Sequence, residues 1–363
     1  MPGIGPTGGV SNPTIDESGT AMPLRLTIEA TLKIADRDFL ASHGELHHYT
    51  SFDALNGILS SNTLWATHFS YLNDTTEVTL LKRPLVDAVA AVFGARLGER
   101  CREDPRIARL VYCLGGREQV ACREAKSLIE GLYQQTFSSP ESIGAGEPFL
   151  VSFCTHAGDQ AYERENGLLS QWRGYATGGC CIVFDTKPLA EMLGKEFDRY
   201  HYTFMEIAPV HYALEGVDVG RVFPDLVDNC VSFLLQALTA PGDPFVGDAF
   251  GLLLNGATHF KHQGFREERE VRIVAAAGSK ALASQAEHEH SCFIAKPIKK
   301  VRDGVGQSGK KRYIALFEGM PDALPIKRLI VGPSPNQRAN YERAHALVAG
   351  SIPLMLSETP FVG

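Results

Sequence analysis

The sequence predicts an α+β fold, a mixed and largely antiparallel sheet that carries two helical blocks. Three observations lead to it. β-patterned segments recur along the chain at 46–51, 149–154, 180–185, 200–212, 271–274, 312–317 and 326–332. Two long stretches, about 75–147 and 220–262, show helical spacing instead. No internal repeat of fixed period is visible.

In chain order, residues 1–22 are rich in Gly, Pro, Ser and Thr and are expected as a disordered tail ahead of a single domain over 23–363. Residues 23–42 fit either a strand or a helix. Leu46–Ser51 is a short strand, followed at once by a helix with Leu55, Ile58 and Leu59 on its apolar face. A second short strand holds Trp65 and Thr67, and Asn73-Asp74 reads as a turn and helix cap. The first helical block repeats apolar residues at Leu80, Leu81, Leu85, Val86, Val89, Ala90 and Phe93, with breaks expected near residue 94 and at Gly115-Gly116. Residues 140–148 are a loop. After the 149–154 strand, Gly167–Tyr175 reads as a short helix or turn, 180–185 as a strand and 188–193 as a short helix. Tyr200–Tyr212 holds one or two strands by β propensity. The second block buries Leu226, Val227, Val231, Phe233 and Leu234. A charged approach from His262 then runs into a strand through Glu268, Glu270 and Arg272. Strands are expected at Phe293–Ile298 and Arg312–Phe317, around a Gly-rich loop. Another follows at Ile326–Gly332, and then a terminal helix at 336–349.

Composition narrows the function classes. A formal net charge of -7, with no long run of Lys or Arg, argues against sequence-independent nucleic-acid binding, which needs phosphate neutralisation. Residues 296–312 are the best local basic stretch, and their simplest reading is a solvated hairpin or loop. The 8 cysteines form no C-x-x-C pair and no zinc spacing, so no metal is expected, and they read as small apolar residues of a reduced compartment. The N-terminus lacks the basic and apolar regions of a signal peptide, and no apolar run reaches membrane-spanning length. A cytoplasmic protein that makes no membrane contact is the expectation.

The chemistry concentrates in three separated segments: His48-Tyr49-Thr50, Ser170-x-Trp172-x-x-Tyr175, and Glu268-x-Glu270-x-Arg272. Alternation places His48 and Thr50 on one strand face and His47, Tyr49 and Ser51 on the other. Hydrogen-bonding side chains are costly in an apolar core, so their recurrence on strands points to one shared pocket. The plain readings stand beside this. Tyr49 and Trp65 fit a core, Trp172 and Tyr175 fit a packing pair, and Glu268 with Glu270 fits a salt-bridge ladder among Arg266, Arg269 and Arg272. Arg272 fits a role in orienting Glu270.

These segments, with the W-A-T and YLNDTTE, VSFCT, LLSQWRGYATGG with CIVFD, FREEREVRIV and IKRLIVGPS pieces, make residues 46–335 resemble the bacterial domain-of-unknown-function family 2971. More remotely, the H-Y-T strand and its helix are similar to the NAD-binding opening of the ADP-ribosyltransferase superfamily. That resemblance implies a split mixed or antiparallel sheet, NAD as the substrate, and ADP-ribosyl transfer to a nucleic-acid or protein acceptor, as a phage-defence effector or toxin. The alternatives it leaves are an NAD glycohydrolase, an RNA 2′-phosphotransferase, or a non-catalytic nucleotide- or partner-binding sensor. It implies Glu270, Glu268 and His48 as catalytic residues. For NAD binding it implies His48, Tyr49, Thr50, Trp65, Trp172, Arg173 and Tyr175, with an aromatic ring on the nicotinamide and Arg173 on the pyrophosphate. If Glu268 and Glu270 lie on one strand they share a face, so that one would contact ribose and the other activate the acceptor. The superfamily needs no Rossmann or P-loop glycine motif, and none is present.

Overall fold

A computed structural model describes residues 31–33, 37–72, 77–137, 147–156, 161–213, 217–239, 249–278, 296–306 and 309–360. The tail expected over 1–22, the Asn73-Asp74 turn and the start of the strand expected at 293 lie outside the described residues. In order, the elements are β1 Thr31–Lys33, α1 Arg37–Ser42, β2 Glu45–Thr50, α2 Phe52–Ser61 and β3 Leu64–His68. The first helical block is α3 Glu77–Leu80, α4 Lys82–Glu103, α5 Pro105–Cys113 and α6 Arg117–Phe137. Then come β4 Glu147–Cys154, α7 Ala161–Asn166, α8 Leu169–Tyr175, β5 Cys180–Asp185, α9 Thr186–Arg199, β6 Tyr202–Pro209 and β7 His211–Ala213. The second block is α10 Val219–Val222, α11 Pro224–Thr239 and α12 Ala249–Thr258. The chain continues through β8 Phe260–His262, a 3-10 helix Gln263–Glu268, β9 Glu270–Ala277, β10 Val301–Gly306, β11 Gly309–Leu316 and β12 Ile326–Val331. It closes with α13 Gln337–Val348 and β13 Leu354–Leu356.

The expected mixed, largely antiparallel sheet is present. Its path runs β1-β6-β9-β4-β2-β5-β12-β13, and a side branch carries β3, β11 and β10. Among the described ladders of this sheet, β1–β6 and β12–β13 are parallel and the rest antiparallel. β4 is where the sheet forks. Its first half pairs with β3 at Phe149 and Leu150, and its far end pairs with β2 at Cys154 alone. Between those pairings the carbonyl of Ser152 accepts a hydrogen bond from the His48 ring, Nδ1 to O 3.0 Å. A side chain thus occupies the gap that a continuing strand would fill.

Each face of the sheet is covered differently. One packs α1, α2, α9 and α13 through Phe39, Leu55, Leu189 and Val348 against Phe149, Val151, Phe153 and Ile273. On the other, α3–α6 and α10–α12 cover Leu150, Phe204, Val274 and Ala276. Further along that second face, α8 covers β2, β5 and β12 through Trp172 and Ala176, against Tyr49, Cys181, Val183 and Ile330. Ser152 lies on this second face, two residues from Leu150 and two from Cys154, yet it is exposed. Ser152 therefore marks a stretch of this face left uncovered between the helical block and α8, termed the groove.

Several local expectations change. The break expected near residue 94 does not occur. α4 runs on to Glu103, burying Leu85, Val89, Phe93 and Leu97 at helical spacing, each side chain contributing about 2 kcal/mol. Gly94 stays helical because α6 packs there, and an added Cβ would come within 3.3 Å of Ala121. The helix ends instead where Asp104 caps α5 over Pro105. The helix read at 188–193 spans Thr186–Arg199. The Gly-rich stretch read as a loop contains β10, whose Asp303, Gly304 and Gly306 hide it from a strand pattern, and it forms a hairpin with β11.

Candidate functional site

Five charged side chains converge beside Ser152. Lys261 Nζ donates to Glu268 Oε2 at 2.6 Å and to Glu270 Oε2 at 2.9 Å, and lies 3.3 Å from Glu77 Oε1. The Arg272 guanidinium bridges Glu270 (Nε to Oε1, 2.7 Å) and Glu77 (2.7 Å), and donates to the carbonyl of Thr258 at 2.6 Å. All five are buried. Burial pushes the Glu270 carboxyl up, but the Arg272 and Lys261 charges, with hydrogen bonds from Arg272 and Ser152, outweigh it and hold the carboxyl at about 2. Burial likewise opposes the charge on Lys261, and Glu270 and Glu77 more than restore it.

The expected common strand face for Glu268 and Glu270 is corrected. Glu268 ends the 3-10 helix, Glu270 begins β9, and Arg269 between them is left-handed at φ 42. That corner turns both carboxylates onto Lys261. Its backbone is pinned by Thr155, whose N–H and hydroxyl both donate to the Arg269 carbonyl. The Glu270 N–H donates to the Tyr212 hydroxyl.

A second polar group lies on the same sheet face, beyond Cys154. The Tyr49 hydroxyl accepts from the Leu168 N–H at 2.8 Å and sits 3.1 Å from His156 Nε2. His156 Nδ1 lies 3.3 Å from Glu163, which pairs with Arg269 at 2.8 Å. His47 packs edge-on against His156, with ring centroids 4.5 Å apart. Burial, with the neighbouring His156 charge, lowers His47 to about 3. Burial lowers His156 to about 4 against the pull of Glu163.

The structure sorts the residues named from sequence. Glu268, Glu270 and Tyr175 meet: the Tyr175 hydroxyl donates to Glu268 Oε1 at 3.3 Å, and the ring is 36% exposed. His48 is half-buried in the gap of the fork, its ring packed on Phe153 of the opposite sheet face. Burial holds it below its ordinary value, and its Nδ1–H bond to Ser152 leaves Nε2 as an acceptor. Tyr49 and Thr50 are buried in β2. Trp172 is not available for stacking. It is 2% exposed, its indole N–H donates to the Asn166 carbonyl, and Gly167 and Gly332 lie so close to the ring that a Cβ on either would come within 2.8 Å. Arg173 is exposed on α8, and Trp65 is exposed on β3. Glu77, Lys261, Ser152, His156 and Glu163 were not named from sequence. A serine inside the apolar run 149–154 and a lysine between Phe260 and His262 were the available signals.

The geometry defines an α+β protein with an acidic, partly covered groove on one sheet face. Residues 171–273, which include α8 and the Glu268–Glu270 corner, match the family described as Protein of unknown function (DUF2971), so the expected family is found over that stretch. The chain matches no curated protein and no solved structure. Among the described residues there is no His, Cys, Asp and Glu group suited to hold a metal ion, and no helix long and apolar enough to cross a membrane.

Proposed function

We propose that the protein transfers ADP-ribose from NAD to a nucleic-acid or protein acceptor, with the Glu268–Glu270 corner as its charge-stabilising element. One observation carries this reading. The cluster holds three carboxylates (Glu77, Glu268 and Glu270) against two cations (Lys261 and Arg272), a formal charge of 2 − 3 = −1 beside an open groove. Breaking the nicotinamide–ribose bond sends the bonding electron pair out with nicotinamide and leaves positive charge on the ribose. A fixed negative potential in a partly desolvated site lowers that barrier. The same potential opposes a 2′-phosphate, which counts against the phosphotransferase alternative.

The roles divide by partner. Glu270, both oxygens engaged by cations, supplies field rather than a mobile base. Glu268, at the groove edge with Tyr175, is placed to meet a ribose hydroxyl or take the acceptor's proton. The ribose role of His48 follows from the resemblance alone, and Tyr175 is the ring open to nicotinamide. The fork at β4 agrees with the split sheet of the ADP-ribosyltransferase superfamily, and a defence or toxin role follows from that resemblance alone. The saturation of Glu270 favours a second reading, a module that binds a nucleotide without turnover. Nicotinamide release from NAD in the presence of cell lysate separates them. The transferase reading expects release by the wild type and a drop of about 100-fold or more in Glu268→Gln or Glu270→Gln. NAD binding with no release in the wild type would sink it in favour of the binding module.

A further inference from the structure

The β10–β11 hairpin presents a surface that the proposed chemistry does not use. Trp65 is 45% exposed, and its ring stacks on Tyr313 with centroids 4.0 Å and planes 18° apart. In the β3–β11 ladder Thr67 faces Tyr313 and Trp65 faces Ala315, so both rings stand on one sheet face. Thr67 also pairs with Leu150, which makes this the face of Ser152 and the groove. Carried past that pair, the β3 register would set Trp65 opposite Ser152. Tyr313 is buried and Trp65 is the exposed member of the stack; Gly304 fits against both rings, where a Cβ would come within 2.7 Å of Tyr313 and 3.3 Å of Trp65.

Charge accompanies the rings. Arg302 and Arg312 are taken up by Glu318 and Glu147. Lys300, Lys310 and Lys311 have no carboxylate partner within salt-bridge distance among the described residues, and Lys300 and Lys310 are exposed. Lys311 follows the same alternation as Tyr313. Its side chain therefore stands on the face of Trp65 and Tyr313.

We propose that this surface binds single-stranded nucleic acid, one base stacking on the exposed face of Trp65 and a flanking phosphate lying on Lys311. A strand held there runs toward Ser152 and the carboxylate corner, which makes nucleic acid the acceptor; that last clause rests on the transferase reading. An exposed aromatic platform beside unpaired lysines is what an unpaired base and its backbone recognise, whereas a duplex offers no free base face. The overall charge of -7 is consistent with a local surface and with no sequence-wide attraction.

The test uses the full chain and a single-stranded oligo(dA) of roughly ten nucleotides. The chain has 2 tryptophans, and Trp172 is buried, so stacking is read as quenching of the exposed Trp65 emission. Wild type is expected to bind at low salt with quenching, and Trp65→Leu to bind about tenfold more weakly by anisotropy of a labelled oligonucleotide. The variant Lys311→Ala, which removes one surface charge, is expected to flatten the salt dependence by roughly 0.7 in log–log slope. No binding, or equal binding and salt slope in all three proteins, overturns the proposal. So does a polyglutamate peptide that displaces the oligonucleotide at equal charge, since it would mark an acidic protein segment as the partner. Nicotinamide release is scored separately: binding without release keeps the surface and removes the transferase, and release without binding does the reverse.

Discussion

Arg272 is 2% exposed and serves three acceptors at once, Glu270, Glu77 and the Thr258 carbonyl. Removing it strands two buried carboxylates with only Lys261 to offset them. Breaking a buried pair in this way costs about 3–5 kcal/mol, because the orphaned charge keeps its desolvation penalty. Arg272→Met is therefore expected to lose about that much in denaturant unfolding. Arg272→Lys recovers only part, since a compact ammonium cannot reach all three acceptors. A loss under about 1 kcal/mol for Arg272→Met would mean that the cluster is hydrated rather than buried. At this scale the sequence named the two glutamates and Arg272 but not their convergence. The left-handed Arg269 that produces it has no side-chain signature, since positive φ is ordinarily met by Gly, Asn or Asp. Glu77, Ser152 and Lys261 arrive from α3, β4 and β8, and no spacing within one segment encodes such a meeting.

At the scale of elements, the residues after β13 act as a strap over the turn between α7 and α8. The Asn166 carbonyl accepts from Trp172 Nε1, Ser357 Oγ and Thr359 Oγ1, and its side-chain oxygen accepts from the Glu358 N–H. Asn166→Ala would leave the Glu358 N–H without its acceptor. The expected cost is about 1–3 kcal/mol. With the strap loosened, Trp172 hydrates and its emission shifts to the red, while the exposed Trp65 contributes a constant background. An unshifted spectrum would show that the glycine-lined slot alone holds the ring. Segments with strong local patterns were legible: β2 with α2, where Ser51 caps the helix through the Ala54 N–H, and also β4, β5, β9 and β12. β10 and β13 were not. β10 is polar and glycine-rich, and β13 is a three-residue parallel edge whose only sense comes from pairing with β12. The same locality explains α9. Its second half, through Phe197 and Arg199, buries Glu196, whose partners Tyr202 and Lys299 come from later in the chain.

Across the whole molecule, titration couples these parts. Burial lowers His47 to about 3 and His68, His156 and His259 to about 4; the His156 charge adds to it at His47, Arg312 at His68 and Arg272 at His259, while at His156 Glu163 opposes it. Each ring is neutral in the fold and takes a proton near 6.5 once unfolded. Between pH 6.5 and 4 the unfolded chain therefore binds more protons, and stability must fall as pH falls. Each histidine contributes roughly 1 kcal/mol per pH unit across that window. Glu270, held at about 2 against an ordinary 4.5, keeps its contribution above pH 4.5 and loses it between 4.5 and 2. Chemical denaturation is thus expected to give a level stability from pH 7 to about 8, below the ordinary cysteine range, and a steepening decline below 6.5. Replacing His156 with Gln should make that decline shallower, since Gln has no proton to gain. The site itself should stay charged through the first part of the fall, because the Glu270 carboxyl protonates far lower. On the transferase reading proposed above, nicotinamide release corrected for the folded fraction would then remain constant from pH 6.5 to 5 while the fold weakens. A corrected rate that fell in step with stability would instead place a titrating histidine, His48 first, in the rate-limiting step.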